Sequence, residues 1–206
     1  MRKWIPAILT LIAFGLSSAL YSQLPDQIAI HWGTDGAANG WSGRIGGAFG
    51  VPAMMLVFTM MFRVLPETDM LTDDYDKFSG SYDLIAIAAV SLAFVVHLIV
   101  LATALGYAVP IIRIGALAMG AFFIAIGNVL PRVRTNSWIG IRTPWSTADD
   151  ANWARTHRIG GYLIAASGVI WLAYAAVPGV WMERAAIVSI VVAVFASYAS
   201  SVSTES

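Results

Sequence analysis

The chain has 206 residues, 58% of them hydrophobic and 12% charged, with a formal net charge of zero and no cysteine. That charged share is about half what a soluble domain carries and cannot solvate a globule of this size, so lipid is the solvent for much of its surface. Zero net charge excludes a general basic field for direct nucleic-acid binding, and the lack of cysteine excludes disulfides and thiolate chemistry.

Six apolar runs approach the roughly 20 residues that cross a bilayer as a helix. They cover residues 4–21, 45–62, 84–105, 111–130, 159–177 and 185–200. None carries the polar stripe of a soluble amphipathic helix. The pattern predicts an all-α integral membrane protein, a single membrane domain over 1–206 with six transmembrane helices. The first run follows Arg2 and Lys3, and Ser17 and Ala19 mimic a cleavage site. Its length exceeds the usual signal-peptide core of about 7–15 residues, so it reads as a span.

Two connections are long, an outer one at 22–44 after helix 1 and an inner one at 132–158 after helix 4. Residues 1–66 thus form a helix-loop-helix unit around the outer loop. Each long loop follows the first helix of a three-helix set, and an odd set inverts the second half, as in many transporters. With both termini cytoplasmic, the inner side holds Arg2, Lys3, Arg63, Lys77, Arg132, Arg134, Arg142, Arg155 and Arg158, and the outer side holds Arg44, Arg113 and Arg184. The positive-inside rule favours that orientation. The acidic link "PETDMLTDDYDK" falls on the inner side as well.

In the outer loop, "QLPDQIAIHW" opens on Pro25 and "IAIHW" alternates weakly, as a short extended segment does. "GTDGAANG" is turn chemistry. His31, Trp32, Asp35, Asn39 and Trp41 form a candidate recognition surface, with the tryptophans also suited to the headgroup zone. His31, Asp26 and Asp35 lack the paired spacing of a metal site, so no metal is assigned. Along the membrane, His97 sits about 20 Å from the inner end of its helix, an ionisable residue where function or a backbone-bonded neutral imidazole are the two readings. Gly115, Gly120 and Gly127 allow close helix contact, and Pro52 interrupts helix 2.

In the inner loop, Pro131 closes helix 4, with Asn128 placed to satisfy freed carbonyls and Arg132 and Arg134 at headgroup level. Asn136 and Gly140 suit turns, and Pro144 extends Thr143. Ser146 or Thr147 is a cap for a following helix with Asp149 and Asp150 in its first turn. On that helix Trp153 and His157 share a face, with Arg155 and Arg158 on another. An interfacial anchor helix and a docking site around Arg142, Trp145, Trp153 and His157 both fit.

Two stretches carry a resemblance. "LPDQIAIHWGTDGAANGW" resembles the short N-terminal domain of unassigned chemistry found in SdpI-type membrane proteins. "GNVLPRVRTNSWIGIRTPW" followed by "WARTHRIGGYL" resembles the SdpI signature, carried here by Asn128, Pro131, Arg142, Thr143, Pro144, Trp145, Trp153, Thr156, His157 and Arg158, within an SdpI-like region at 111–200. The resemblance spans nearly the whole chain. In the outer stretch the family often has an aspartate where this chain reads Ala38-Asn39. It implies a bacterial inner-membrane immunity protein that resists a secreted peptide toxin or membrane stress, and a signalling receptor holding a small repressor at the membrane. Membrane lipid, a peptide toxin outside and a repressor inside are the implied partners, with no cofactor.

A transporter or exporter of a peptide or small solute is the alternative, resting on the odd-helix halves and His97. Catalysis finds no motif: there is no His-Glu-x-x-His, no Gly-x-Ser-x-Gly and no P-loop. In intact cells, an impermeant thiol reagent should label a single cysteine placed at Thr34 and miss one at Thr147. The reverse pattern would overturn the orientation.

Overall fold

A computed structural model describes residues 2–71 and 75–202 of the chain. Thr72, Asp73 and Asp74 of the acidic link lie outside the described residues. The elements, in order, are α1 (Ile5–Leu20), β1 (Gln27–Trp32), β2 (Ala38–Gly43), α2 (Arg44–Val64), α3 (Ser79–Ala104), α4 (Ile111–Val129), α5 (Pro144–Ala148), α6 (Asp150–Ala176) and α7 (Val180–Val202). Six of these helices, all but α5, are long and apolar enough to cross a membrane. Large apolar side chains point outward along them, with Leu11 70% and Phe195 69% exposed, as lipid-facing helices require.

The all-α expectation fails at residues 27–43. There β1 and β2 pair antiparallel, with Gln27 opposite Gly43 and Trp32 opposite Ala38, and register shifts around His31. The reason is local. Ile28 is buried completely while Gln27 and Ile30 stay exposed, so an anchoring side chain and not an alternating face seats the strand. The turn then closes through Gly33 N–H to the Ala37 carbonyl at 2.8 Å, Gly36 N–H to the Gly33 carbonyl at 2.9 Å, and Gly36 at φ +78°. A backbone that leaves a helix must still pair its polar groups, and the hairpin pairs them with each other. Ile28 joins Leu24, Ala48, Val100 and Leu101 in a cluster that seats the hairpin on the start of α2 and the end of α3. Gly47 makes that seat possible, because a Cβ there would meet Ile28 Cβ at 2.6 Å.

The fifth span begins earlier than its apolar run. Helix α6 starts at Asp150, so residues 150–158 belong to a continuous helix and not to the inner loop or a separate interfacial helix. Asp149 is its N-cap: the carboxylate accepts from Ala151 N–H at 3.4 Å and Asn152 N–H at 2.8 Å. Ser146 and Thr147, read as its caps, lie instead in α5. Hydropathy missed this start because the first two turns carry a polar face, Asn152, Thr156 and His157, that is buried by protein.

Helices α4 and α6 meet through glycines. A Cβ at Gly120 would lie 2.9 Å from the Gly168 carbonyl oxygen, and one at Gly168 would lie 2.7 Å from that of Gly120. Gly127 and Gly161 repeat the relation at 2.5 and 2.6 Å. Two reciprocal pairs, one residue of each pair seven along from the other, bring the backbones together and gain packing where no water is present to drive association. Gly115, expected to serve the same contact, has nothing within 4 Å of a Cβ.

Successive spans reverse direction. The hairpin therefore lies at the end of the bundle where α1 and α3 finish, and the segment after α4 lies at the other end, beside the α2–α3 link. Gly127→Ala should lower stability by about 1–3 kcal/mol through forced separation of two backbones. Gly115→Ala should leave the thermal unfolding midpoint in detergent unchanged. Equal midpoints for the two variants would show that the glycine contact does not hold α4 on α6.

Candidate functional site

The hairpin end distributes its expected recognition residues over three roles. His31 is exposed, and its Nδ1–H donates to Asn39 Oδ1 across the strands at 2.5 Å. Asn39 and Trp41 share the exposed face of β2, Trp41 at 58%. Trp32 instead packs against the Ile28 cluster. Asp35 is exposed and shapes its own loop, accepting from Ala37 N–H at 2.9 Å. Asp26 pairs with Arg44 at 2.7 Å, and the Arg44 guanidinium sits 5.8 Å from the Tyr21 ring centroid. Of the expected recognition residues, His31, Asp35, Asn39 and Trp41 are exposed and Trp32 is half-buried.

Deeper in the same half, His97 is fully buried. Its Nε2 lies 3.2 Å from the Ala13 carbonyl oxygen and 3.2 Å from Ser17 Oγ. The Ser17 hydroxyl donates to the Ala48 carbonyl at 2.5 Å, which leaves its oxygen to accept from Nε2–H. His97 thereby ties α3 to α1, and through Ser17 to α2.

The opposite end is a strap, residues 133–146, folded over the start of α6 and the end of α7. Three side chains organise it. Asn136, fully buried, donates through Nδ2 to the Arg134 and Ile139 carbonyls at 2.8 Å each and accepts at Oδ1 from Trp138 and Ile139 N–H at 2.9 and 2.7 Å. His157, also fully buried, accepts at Nε2 from Ile141 N–H at 3.0 Å and donates from Nδ1 to the Trp153 carbonyl at 2.9 Å. Thr143 caps α5 by accepting from Ser146 N–H at 3.0 Å, while Ser146 Oγ accepts from Thr143 N–H at 2.9 Å.

The aromatic pair lies beneath the strap. Trp153 stacks on His157 with centroids 4.0 Å apart, and its Nε1–H donates to the Val133 carbonyl at 2.8 Å. Gly140, at φ +129°, crosses directly over this pair; a Cβ would collide with the imidazole. Thr156 is buried and donates to Asn152 Oδ1 at 3.1 Å. Asn152 Nδ2 and Arg155 Nη2 reach α7, donating to the Ser201 and Ser200 carbonyls at 2.8 and 2.7 Å. Thr143 Oγ1 adds a bond to Ser201 Oγ at 3.0 Å, and Trp145 meets the Tyr198 ring edge-on at 6.1 Å.

What remains open at this end is Arg142, Pro144 and Arg158, all exposed. No partner for the Arg142 guanidinium is found among the described residues. Asn128 is exposed too, and its backbone oxygen, not its side chain, makes the helix-end bond, accepting from Arg132 Nη2 at 3.1 Å. Pro131 wedges against α6 where Gly161 gives it room. A docking site centred on Trp153 and His157 is therefore closed by the strap that those residues hold.

Asp69, in the link after α2, had no place in the sequence reading. Its carboxylate accepts from Ser137 N–H at 2.9 Å, Ser137 Oγ at 2.8 Å, Leu71 N–H at 2.8 Å and the Tyr75 hydroxyl at 2.5 Å. It fastens the first three helices to the strap of the second three. Partial burial works against the charge, but these four donors outweigh it and hold the carboxyl at about 2, below the ordinary 3.8. One carboxylate among several in an acidic link gives no sequence signal; Ser137, its partner, is 68 residues away.

Six apolar helices, polar chemistry gathered at the bundle ends and a self-satisfied strap define a multi-pass membrane protein. Residues 132–202 match the SdpI/YfhL protein family, and residues 8–56 match a domain of unknown function (DUF1648). Immunity protein SdpI of Bacillus subtilis (strain 168) is 28% identical over 169 residues, covering 82% of this chain and 79% of that protein. The chain is a multi-pass bacterial membrane protein, similar to Immunity protein SdpI over most of its length. No solved structure matches it.

The folded Asp69 carboxyl is depressed, so its stabilisation is present above the unfolded value of 3.8 and is lost as pH falls through about 2. Asp69→Asn should lower the thermal midpoint at neutral pH and flatten the acid loss over that window. An unchanged acid profile in the variant would show that the carboxylate does not hold the halves together.

Proposed function

We propose that this chain is a non-catalytic immunity protein of the bacterial inner membrane that lessens damage from a secreted, membrane-attacking peptide. The observation that carries the reading is the similarity to Immunity protein SdpI, which runs through both the hairpin half and the strap half. Both termini and the strap face the cytoplasm and the hairpin faces outward, in accord with the distribution of arginine and lysine. His31, Asn39 and Trp41 offer an imidazole, an amide and an exposed indole to an approaching peptide. At the other end Arg142 offers an exposed guanidinium with no partner among the described residues, set between the Ile141 N–H that His157 holds and the Thr143 cap. A small repressor is the inner partner, docking through an acidic group on that fork.

A guanidinium presents planar, paired donors, whereas lysine keeps only the charge. Arg142→Lys should therefore weaken survival under peptide challenge about tenfold at matched expression, the scale of one lost charge-assisted bond. Arg134→Lys, a change that keeps the charge of a headgroup contact, should be nearly silent. His31→Ala should reduce sensitivity to the external peptide without altering membrane insertion. Full protection by Arg142→Lys would sink the role given to the fork and leave "IRTPW" as a structural anchor.

A further inference from the structure

One cavity belongs to neither the hairpin nor the strap's buried bonds. It has a volume of about 830 Å³ and opens at the strap end, between the start of α3, the end of α4 and the start of α6. Lys77 lines it from the link before α3, and Arg132 and Arg134 line it from the segment after α4. Asp150 is the acidic group among the described lining residues, and one of its oxygens is already taken by the Thr135 hydroxyl at 2.5 Å. Trp153 forms the floor.

Arg132 and Arg134 bring two guanidinium charges to one wall of the cavity, and two like charges this close favour an anion between them. The positive ends of two long helices, α3 and α6, also point here, because Ser81 and Asp150 from their first turns are in the wall. Arg132 spends one Nη2 donor on the Asn128 carbonyl and keeps the rest of its fork. The guanidinium of Arg134 has no hydrogen-bond partner among the described residues. The cavity lies where the apolar spans end, which is headgroup depth.

We propose that this cavity binds a phosphate group, held by Arg132 and Arg134 with Lys77 beside them, and that an anionic phospholipid headgroup supplies it. The site would bridge the two three-helix halves on the side away from the hairpin, next to the Asp69 clamp. It differs from the Arg142 fork, which faces solvent.

The test uses the full chain in nanodiscs of phosphatidylcholine, with or without phosphatidylglycerol, reading the thermal unfolding midpoint. Phosphatidylglycerol should raise the midpoint of the wild type. The Arg132→Gln/Arg134→Gln double variant should lose that rise, with lipid binding about tenfold weaker or more. Arg132→Lys/Arg134→Lys should keep most of it, and Arg158→Gln, outside the cavity, should keep all of it. A rise produced by inorganic phosphate in pure phosphatidylcholine, and lost in the double variant, would support the same site with a free anion as its source. The proposal is overturned if the glutamine double variant keeps the full phosphatidylglycerol increment, or if neither lipid nor phosphate shifts the wild type. Comparing all variants as increments over their own phosphatidylcholine baseline separates loss of binding from loss of fold.

Discussion

Backbone that leaves a helix near a bilayer must find its hydrogen-bond partners inside the protein, since hydrocarbon offers none. The strap at residues 133–146 is where this constraint presses hardest. It is too irregular to pair with itself as a helix or sheet does. It borrows partners: Asn136 closes four bonds around its own turn, and His157 holds Ile141 N–H. Gly140 follows from that second bond, because the chain must pass over the imidazole in a conformation and at a distance that exclude a side chain. The close approach of α4 to α6 follows as well, since Pro131 can lead into the strap only where Gly161 admits it.

The hairpin end solves the same problem with opposite results. There the backbone pairs strand to strand, so its side chains are free to face outward, and Ile28 with Trp32 suffices to seat it. The strap spends its polar side chains on itself and gains connection in return. It touches α6 through His157 and α7 through Ser201, and the first half through Asp69 and Ser137. A surface that presents groups lies at one end, and a junction that joins helices lies at the other.

Composition alone carried the membrane class and the number of spans, because an apolar run of bilayer length is a signal that no local packing can disguise. The signature residues were equally visible as a pattern; their work was not. Trp153 and His157 at a four-residue spacing announced a shared face, but only the fold shows that face covered by Gly140 and the strap. The start of α6 was missed because a polar helical face buried by protein looks, in hydropathy, like a loop. The hairpin was hinted at by "IAIHW" yet outweighed by the helical content around it. Asp69 was invisible for a different reason: its meaning lies in a residue from the other half of the chain, and no short-range pattern encodes that meeting.

The bonds from α6 to the last turn of α7 set an order of assembly. Thr143, Asn152 and Arg155 find their partners at Ser200 and Ser201, which are synthesised after all the other elements described. The hairpin and the first three helices can settle while synthesis continues, as units of a growing chain generally do. The strap cannot close until α7 is threaded and its final carbonyls arrive. Until that last turn is made, a growing chain holds the start of every helix and still carries an open junction beside the strap. The order of synthesis is thereby written into the geometry: the strap is a lock whose key is the last turn of α7.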